Sequence, residues 1–142
     1  MAKLIDTWNQ CLREKWTPPA VALAAFNLDF LCIHPFRDGN GRVSRLVLLL
    51  QSYSAGMEVG RYISLEKLIE QSKGRYCETL EQCSVGWHEG KHDSWPFINY
   101  ILSILKIAYQ EFEERVGQIA EPKGQKRDWS AMRCASSEGN FV

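Results

Sequence analysis

The stretch Pro18-Pro19-Ala20-Val21-Ala22-Leu23-Ala24-Ala25-Phe26-Asn27-Leu28-Asp29-Phe30-Leu31-Cys32-Ile33-His34-Pro35 decides the fold. Val21, Ala24, Ala25, Leu28 and Cys32 recur at intervals of three and four, the period of an α-helix with one buried face. The spacing predicts a helix with Thr17 as N-cap and Pro18 at its first helical position. It ends at His34-Pro35, because a residue before proline is pushed out of the helical region.

The same period extends both ways. Upstream, Leu4, Ile5, Trp8, Cys11 and Leu12 predict a helix over 2–15. Downstream, 40–55 is apolar almost all round (Val43, Leu46, Val47, Leu48, Leu49, Leu50), which predicts a central helix packed on most sides and ended by Gly56. Ser64 caps a fourth, with Leu65, Leu68, Ile69, Tyr76, Leu80 and Cys83 facing inward. Asp93 or Ser94 with Pro96 opens a fifth, carrying Phe97, Ile101, Ile104, Leu105, Ala108 and Phe112. No segment alternates as a strand does, so the expected class is all-α, a compact single-domain helical bundle. Residues 1–117 form the expected core. The remainder, 118–142, opens on Glu121-Pro122-Lys123-Gly124, has no amphipathic period and is expected to be a poorly ordered linker or tail.

Composition sets limits on function. The 142 residues, 45% hydrophobic and 24% charged, suit one soluble domain. Seventeen basic residues balance seventeen acidic ones, so no broad field draws the chain to nucleic acid or a membrane. Lys123, Lys126 and Arg127 alternate with Glu121 and Asp128 and read as a solvated linker. The Leu46–Leu50 run is far shorter than a membrane span, and Asp6, Arg13, Glu14 and Lys15 interrupt what a signal peptide keeps apolar. A cytoplasmic protein is expected. Cys11, Cys32, Cys77, Cys83 and Cys134 are odd in number and lack any C-x-x-C, so they read as free thiols packed as small hydrophobes.

Chemistry is concentrated in His34-Pro35-Phe36-Arg37-Asp38-Gly39-Asn40-Gly41-Arg42-Val43-Ser44-Arg45, an ionisable cluster between two apolar helices. Gly39 and Gly41 can both take up positive φ and aim successive amides at one point, an anion nest at the positive end of a helix. Arg42 and Arg45, three apart, project on one face and can fork onto phosphate oxygens. Asp38 is the hard carboxylate that Mg2+ takes when it is shared with substrate phosphates. His34 supplies an imidazole to act as general base. Phe36 is expected to be an apolar plug anchoring the loop in the core. Phosphoryl-group chemistry on a nucleotide is the expected use.

These residues meet the pattern H-x-F-x-[DE]-G-N-G-R-x-x-R at every specified position, and the chain resembles the Fic-domain proteins. The likeness extends from Pro18-Pro19 to Trp95-Pro96-Phe97 and the helix after it. The resemblance implies a Fic-type helical fold and a protein adenylyltransferase that moves AMP from ATP to a Ser, Thr or Tyr hydroxyl of a target protein and releases pyrophosphate. It implies His34 as base, Asp38 as Mg2+ ligand, Gly39, Asn40 and Gly41 as phosphate cradle, and Arg42 and Arg45 on the outer phosphates. The G-N-G-R form is similar to the AMP-transferring branch, not to the Doc-like kinases.

Three departures from the resemblance matter. Relatives carry a β-hairpin flap upstream of the helix that starts here at Pro18; the seventeen residues before it read as helix, so the flap is expected to be missing and the chain to be a fragment or shortened form. Relatives carry a Tyr-Tyr pair near the adenosine; Arg75-Tyr76-Cys77 leaves Tyr76 as the one candidate contact. The family's inhibitory [ST]-x-x-x-E-[GN] is nearly met by Cys134-Ala135-Ser136-Ser137-Glu138-Gly139, with a cysteine where the hydroxyl belongs.

Two other readings compete. His88-Glu89-Gly90-Lys91-His92 spells H-E-x-x-H, but Gly86, Gly90 and Pro96 predict a loop where a zinc site needs a helix. The missing flap also favours a catalytically weak helical module that binds nucleotide or a partner protein without turnover.

Overall fold

A computed structural model of the chain describes residues 1–120; the tail from residue 121 and the Cys134–Gly139 stretch lie outside the described residues. In chain order the helices are α1 (Ala2–Glu14), α2 (Pro19–Ile33), α3 (Asn40–Ser54), α4 (Leu65–Gln71), α5 (Lys73–Ser84) and α6 (Trp95–Ala120), with 3-10 turns at Glu58–Arg61 and Trp87–Glu89. Among the described residues there is no strand, so the all-α class stands.

The central helix is α2, not α3. Leu23, Ala24, Phe26, Leu28, Phe30 and Leu31 are all buried, and α2 packs against α1, α3, α5 and α6. Trp8 meets Phe26 edge-on at 5.7 Å and seats α1. Phe97, Tyr100, Ile101, Ile104, Leu105 and Ala108 of α6 close the core from the opposite direction. Fully burying one such leucine or isoleucine contributes about 1.5–3 kcal/mol.

In α3 the apolar run misled the reading. Leu46 and Leu50 are 60% and 64% exposed, and among its hydrophobic residues only Leu48 is fully buried. Its inward face is mixed instead: Asn40, Ser44, Gln51 and Ser52 are buried beside Leu48, with Val43, Val47 and Leu49 partly buried against the core. The reason is in α2, where buried Asn27 donates from Nδ2 to the Ser44 carbonyl at 2.8 Å and draws the polar side of α3 inward.

Other boundaries shift for local reasons. α2 begins at Pro19 with Pro18 as N-cap, because Pro18 itself precedes a proline and is held extended (φ −53°, ψ 135°); Thr17 provides no cap hydrogen bond. The expected fourth helix is two helices. Ser72 breaks it, with φ −114° and its hydroxyl engaged by the Leu68 carbonyl and the Tyr100 hydroxyl. Ser64 does cap α4, accepting from Lys67 N–H at 3.2 Å, and Asp93 accepts from Trp95 N–H at 3.0 Å where α6 opens. Buried Cys83 adds an unforeseen partner there, its Sγ accepting from Phe97 N–H at 3.3 Å. α6 continues through Ala120, three residues past the expected boundary.

The thiols of Cys11, Cys32, Cys77 and Cys83 are free. Cys77, expected inside, is exposed, whereas burial followed by the nearby Asp29 carboxylate pushes Cys32 up to about 11.

Gly60 lets the turn after α3 lie against it: a Cβ there would sit 2.5 Å from Leu49 Cδ1 and 3.5 Å from the Tyr53 ring. Gly60→Ala is therefore expected to lower stability by about 1–3 kcal/mol in urea unfolding. An unchanged midpoint would mean that this seam yields freely.

Candidate functional site

The site is made by the way α2 stops and α3 starts. His34, denied the right-handed region by Pro35, turns left-handed (φ 51°, ψ 58°) and closes α2 with its N–H on the Phe30 carbonyl at 3.2 Å. A non-glycine residue in this conformation carries about 1–2 kcal/mol of strain. Five residues on, Gly39 (φ 81°) reverses the chain into α3. Gly41 has ordinary helical geometry, so only one of the two glycines uses the expected freedom.

Asn40 holds this turn closed. Its Nδ2 donates to the Phe36 carbonyl at 2.6 Å and its Oδ1 accepts from Phe36 N–H at 3.0 Å, so the buried amide is consumed by the loop's own backbone. Phe36 itself is half exposed, leaning on Phe30 with ring centroids 6.3 Å apart, and is no core plug. The asparagine does the anchoring assigned to the aromatic.

The result is an open cleft of about 330 Å³ lined by His34, Arg37, Asp38, Gly39, Asn40, Gly41, Arg42 and Arg45. Seven of the eight candidate site residues meet there. Arg37 is an eighth wall that sequence reasoning did not single out. The first helical bond is Val43 N–H to the Gly39 carbonyl at 2.9 Å, so the amides of Asn40, Gly41 and Arg42 precede any intrahelical partner. α3 has no acidic residue in its first turn, and its positive end faces the cleft.

The charged groups are loosely held. Asp38 accepts from Gly39 N–H at 2.7 Å through Oδ1, while Oδ2 lies 3.6 Å from Arg42. Both side chains are largely exposed, so this pair contributes little stability and opens readily. Arg45 is more enclosed and lies 3.4 Å from Glu66.

Tyr76 is not at the cleft. Its ring is buried between Phe97 and Tyr100, each 5.9 Å away, and its hydroxyl has no hydrogen-bond partner. Burial pushes its phenol up, against the pull of nearby Ser44 and Arg45. The H-E-x-x-H stretch does not form the helix that such a zinc motif needs: His88 and Glu89 lie in a 3-10 turn that left-handed Gly90 ends. Among the described residues no cluster of three metal-ligating side chains forms. Trp87 instead ties this turn to α2, donating from Nε1 to Asp29 at 2.8 Å.

The model of the Fic/DOC family matches residues 1–52, which contain α1, α2, the loop and most of α3. Over this segment the chain is similar to the Fic/DOC family. No curated protein matches the chain. The Fic-family match thus falls on the elements that build the cleft. Among the described residues no helix is long and apolar enough to cross a membrane.

Asn40→Asp is expected to cost about 1–3 kcal/mol, because a buried carboxylate faces the Phe36 carbonyl it can no longer donate to. The measurement is a denaturant midpoint at neutral pH. Full stability would show that the clamp is dispensable.

Proposed function

We propose that this chain is a protein adenylyltransferase, transferring AMP from ATP to a Ser, Thr or Tyr hydroxyl of a target protein and releasing pyrophosphate. The observation that carries the reading is the meeting of His34, Asp38, Arg42 and Arg45 with the free amides of α3 around one cleft. An imidazole, a carboxylate, two guanidiniums and a positive helix end form a set matched to a polyphosphate and a hydroxyl nucleophile.

In this reading the amides of Asn40, Gly41 and Arg42 hold the α-phosphate, while Arg42 and Arg45 hold the outer phosphates. His34 takes the proton of the incoming hydroxyl as its oxygen bonds to the α-phosphorus. The bond from that phosphorus to the bridging oxygen breaks, and the electron pair leaves with pyrophosphate. The residues suit Mg2+ of the kind shared with substrate: one exposed hard carboxylate, Asp38, stands at the phosphate cradle. The metal would supply charge neutralisation on the phosphates. Asp38 must leave Arg42 to serve, which their exposure permits.

A second reading, a binding module without turnover, is separated by the same experiment. Labelled ATP with Mg2+ and target protein should give transfer that His34→Ala lowers by about 100-fold or more, with ATP affinity retained. Transfer that survives His34→Ala removes the base; no transfer by the unmodified protein, with binding intact, favours the binding module. Arg45→Ala should weaken ATP by about tenfold or more while sparing AMP, measured by calorimetry; equal loss for both would move Arg45 off the outer phosphates.

A further inference from the structure

Glu66 stands 21 residues beyond Arg45 and belongs to no motif, yet its Oε1 accepts from Arg45 Nε at 3.4 Å. We propose that Glu66 is a positioning residue: it holds Arg45 by the Nε edge so that the Nη edge faces the phosphate cleft, and so favours ligands with outer phosphates. The proposal rests on the phosphate-binding reading of that cleft.

Four observations support it, together with the shape of the group. A guanidinium is a planar fork, so fixing one edge fixes the direction of the other. Arg45 Nη1 lies over the first turn of α3, 3.6 Å from where a Cβ on Gly41 would be. Among the described residues neither Nη group makes a hydrogen bond, which leaves that edge open to a ligand. Arg45 is also confined: its side chain is 24% exposed against 74% for Arg42. On its far side a second cavity of about 350 Å³, floored by Leu48, Ile63, Leu65 and Ile69, shares both arginines with the cleft as a common wall.

Glu66 is itself well placed to act as a fixed post. It lies in the first turn of α4, where a carboxylate is favoured, and that turn is capped by Ser64. A carboxylate that competed with phosphate would have to occupy the Nη edge; this one takes Nε alone. Ordering the guanidinium before ligand arrives lowers the entropy lost on binding. Because Glu66 is largely exposed, the effect should be several-fold and not larger.

The test is calorimetry of ATP and of AMP with the full chain and with Glu66→Ala, Glu66→Gln, Arg45→Ala and the Glu66→Ala/Arg45→Ala double variant. The expected result is a loss of ATP affinity of about two- to fivefold in Glu66→Ala. AMP should be unchanged, ATP affinity partly restored in Glu66→Gln, which keeps an acceptor, and nothing further lost when Arg45 is already alanine. Tighter ATP binding in Glu66→Ala, no change, or equal loss of AMP overturns the proposal. If the unmodified protein binds neither nucleotide, the functional reading fails, and the grip is read directly from the Arg45 Nε–H resonance. A resolved resonance that Glu66→Ala merges with those of the free arginines upholds the grip; one that does not move overturns it.

Discussion

The double hydrogen bond between the Asn40 side chain and the Phe36 backbone is the constraint on which the rest depends. A loop between two helices would ordinarily leave its polar groups to water and its shape to fluctuation. Here one buried amide satisfies a donor and an acceptor of the same residue, so the turn has a single low-energy closure. That closure leaves the first amides of α3 facing outward, and His34 at the end of α2 lines the same cleft. Strain at His34 and positive φ at Gly39 are tolerated because the clamp between them makes up the difference.

A second polar contact aims the cleft. Asn27 on α2 donates to the Ser44 carbonyl, and Ser44 in turn bonds the Gly41 carbonyl, so α3 is fixed in rotation about its own axis. This explains a helix with a mixed inward face. Leucines at 46 and 50 face solvent while asparagine, serine and glutamine join Leu48 at the core, an arrangement that hydrophobic burial alone would not select. Tolerating that exposure keeps Arg42 and Arg45 on the side of the cleft. Specific hydrogen bonds decide the orientation, and the apolar bulk of α2 and α6 supplies the stability.

How far the sequence could be read follows from these forces. Helices α1 and α6 announce themselves by period because burial decides them, whereas α2 is covered on most sides: Val21, Ala25 and Cys32, expected on its one buried face, are only partly buried, while Leu23, Phe26 and Phe30 lie in the core. The rotation of α3 was hidden, since its determinant is an asparagine on another helix; a lone amide inside the apolar stretch 21–33 was the available signal. The break at Ser72 was hidden too, because Tyr100 lies 28 residues away. In the site, spacing brought out every cleft residue but Arg37, since one loop and one helix start carry them all. Tyr76 was misplaced, as helical spacing cannot tell a core aromatic from a rim aromatic. Glu66 gave no signal, because its partner is remote in sequence.

The central claim is that the start of α3 is a cradle already shaped for phosphate. The most direct measurement is a titration of the isotopically labelled protein with ATP, following the backbone amide resonances of residues 34–45. The account predicts that the amides of Asn40, Gly41 and Arg42 move most, along one saturable curve, while the α6 core stays still. Shifts scattered over the surface, or a cradle whose amides do not move at saturation, would contradict it.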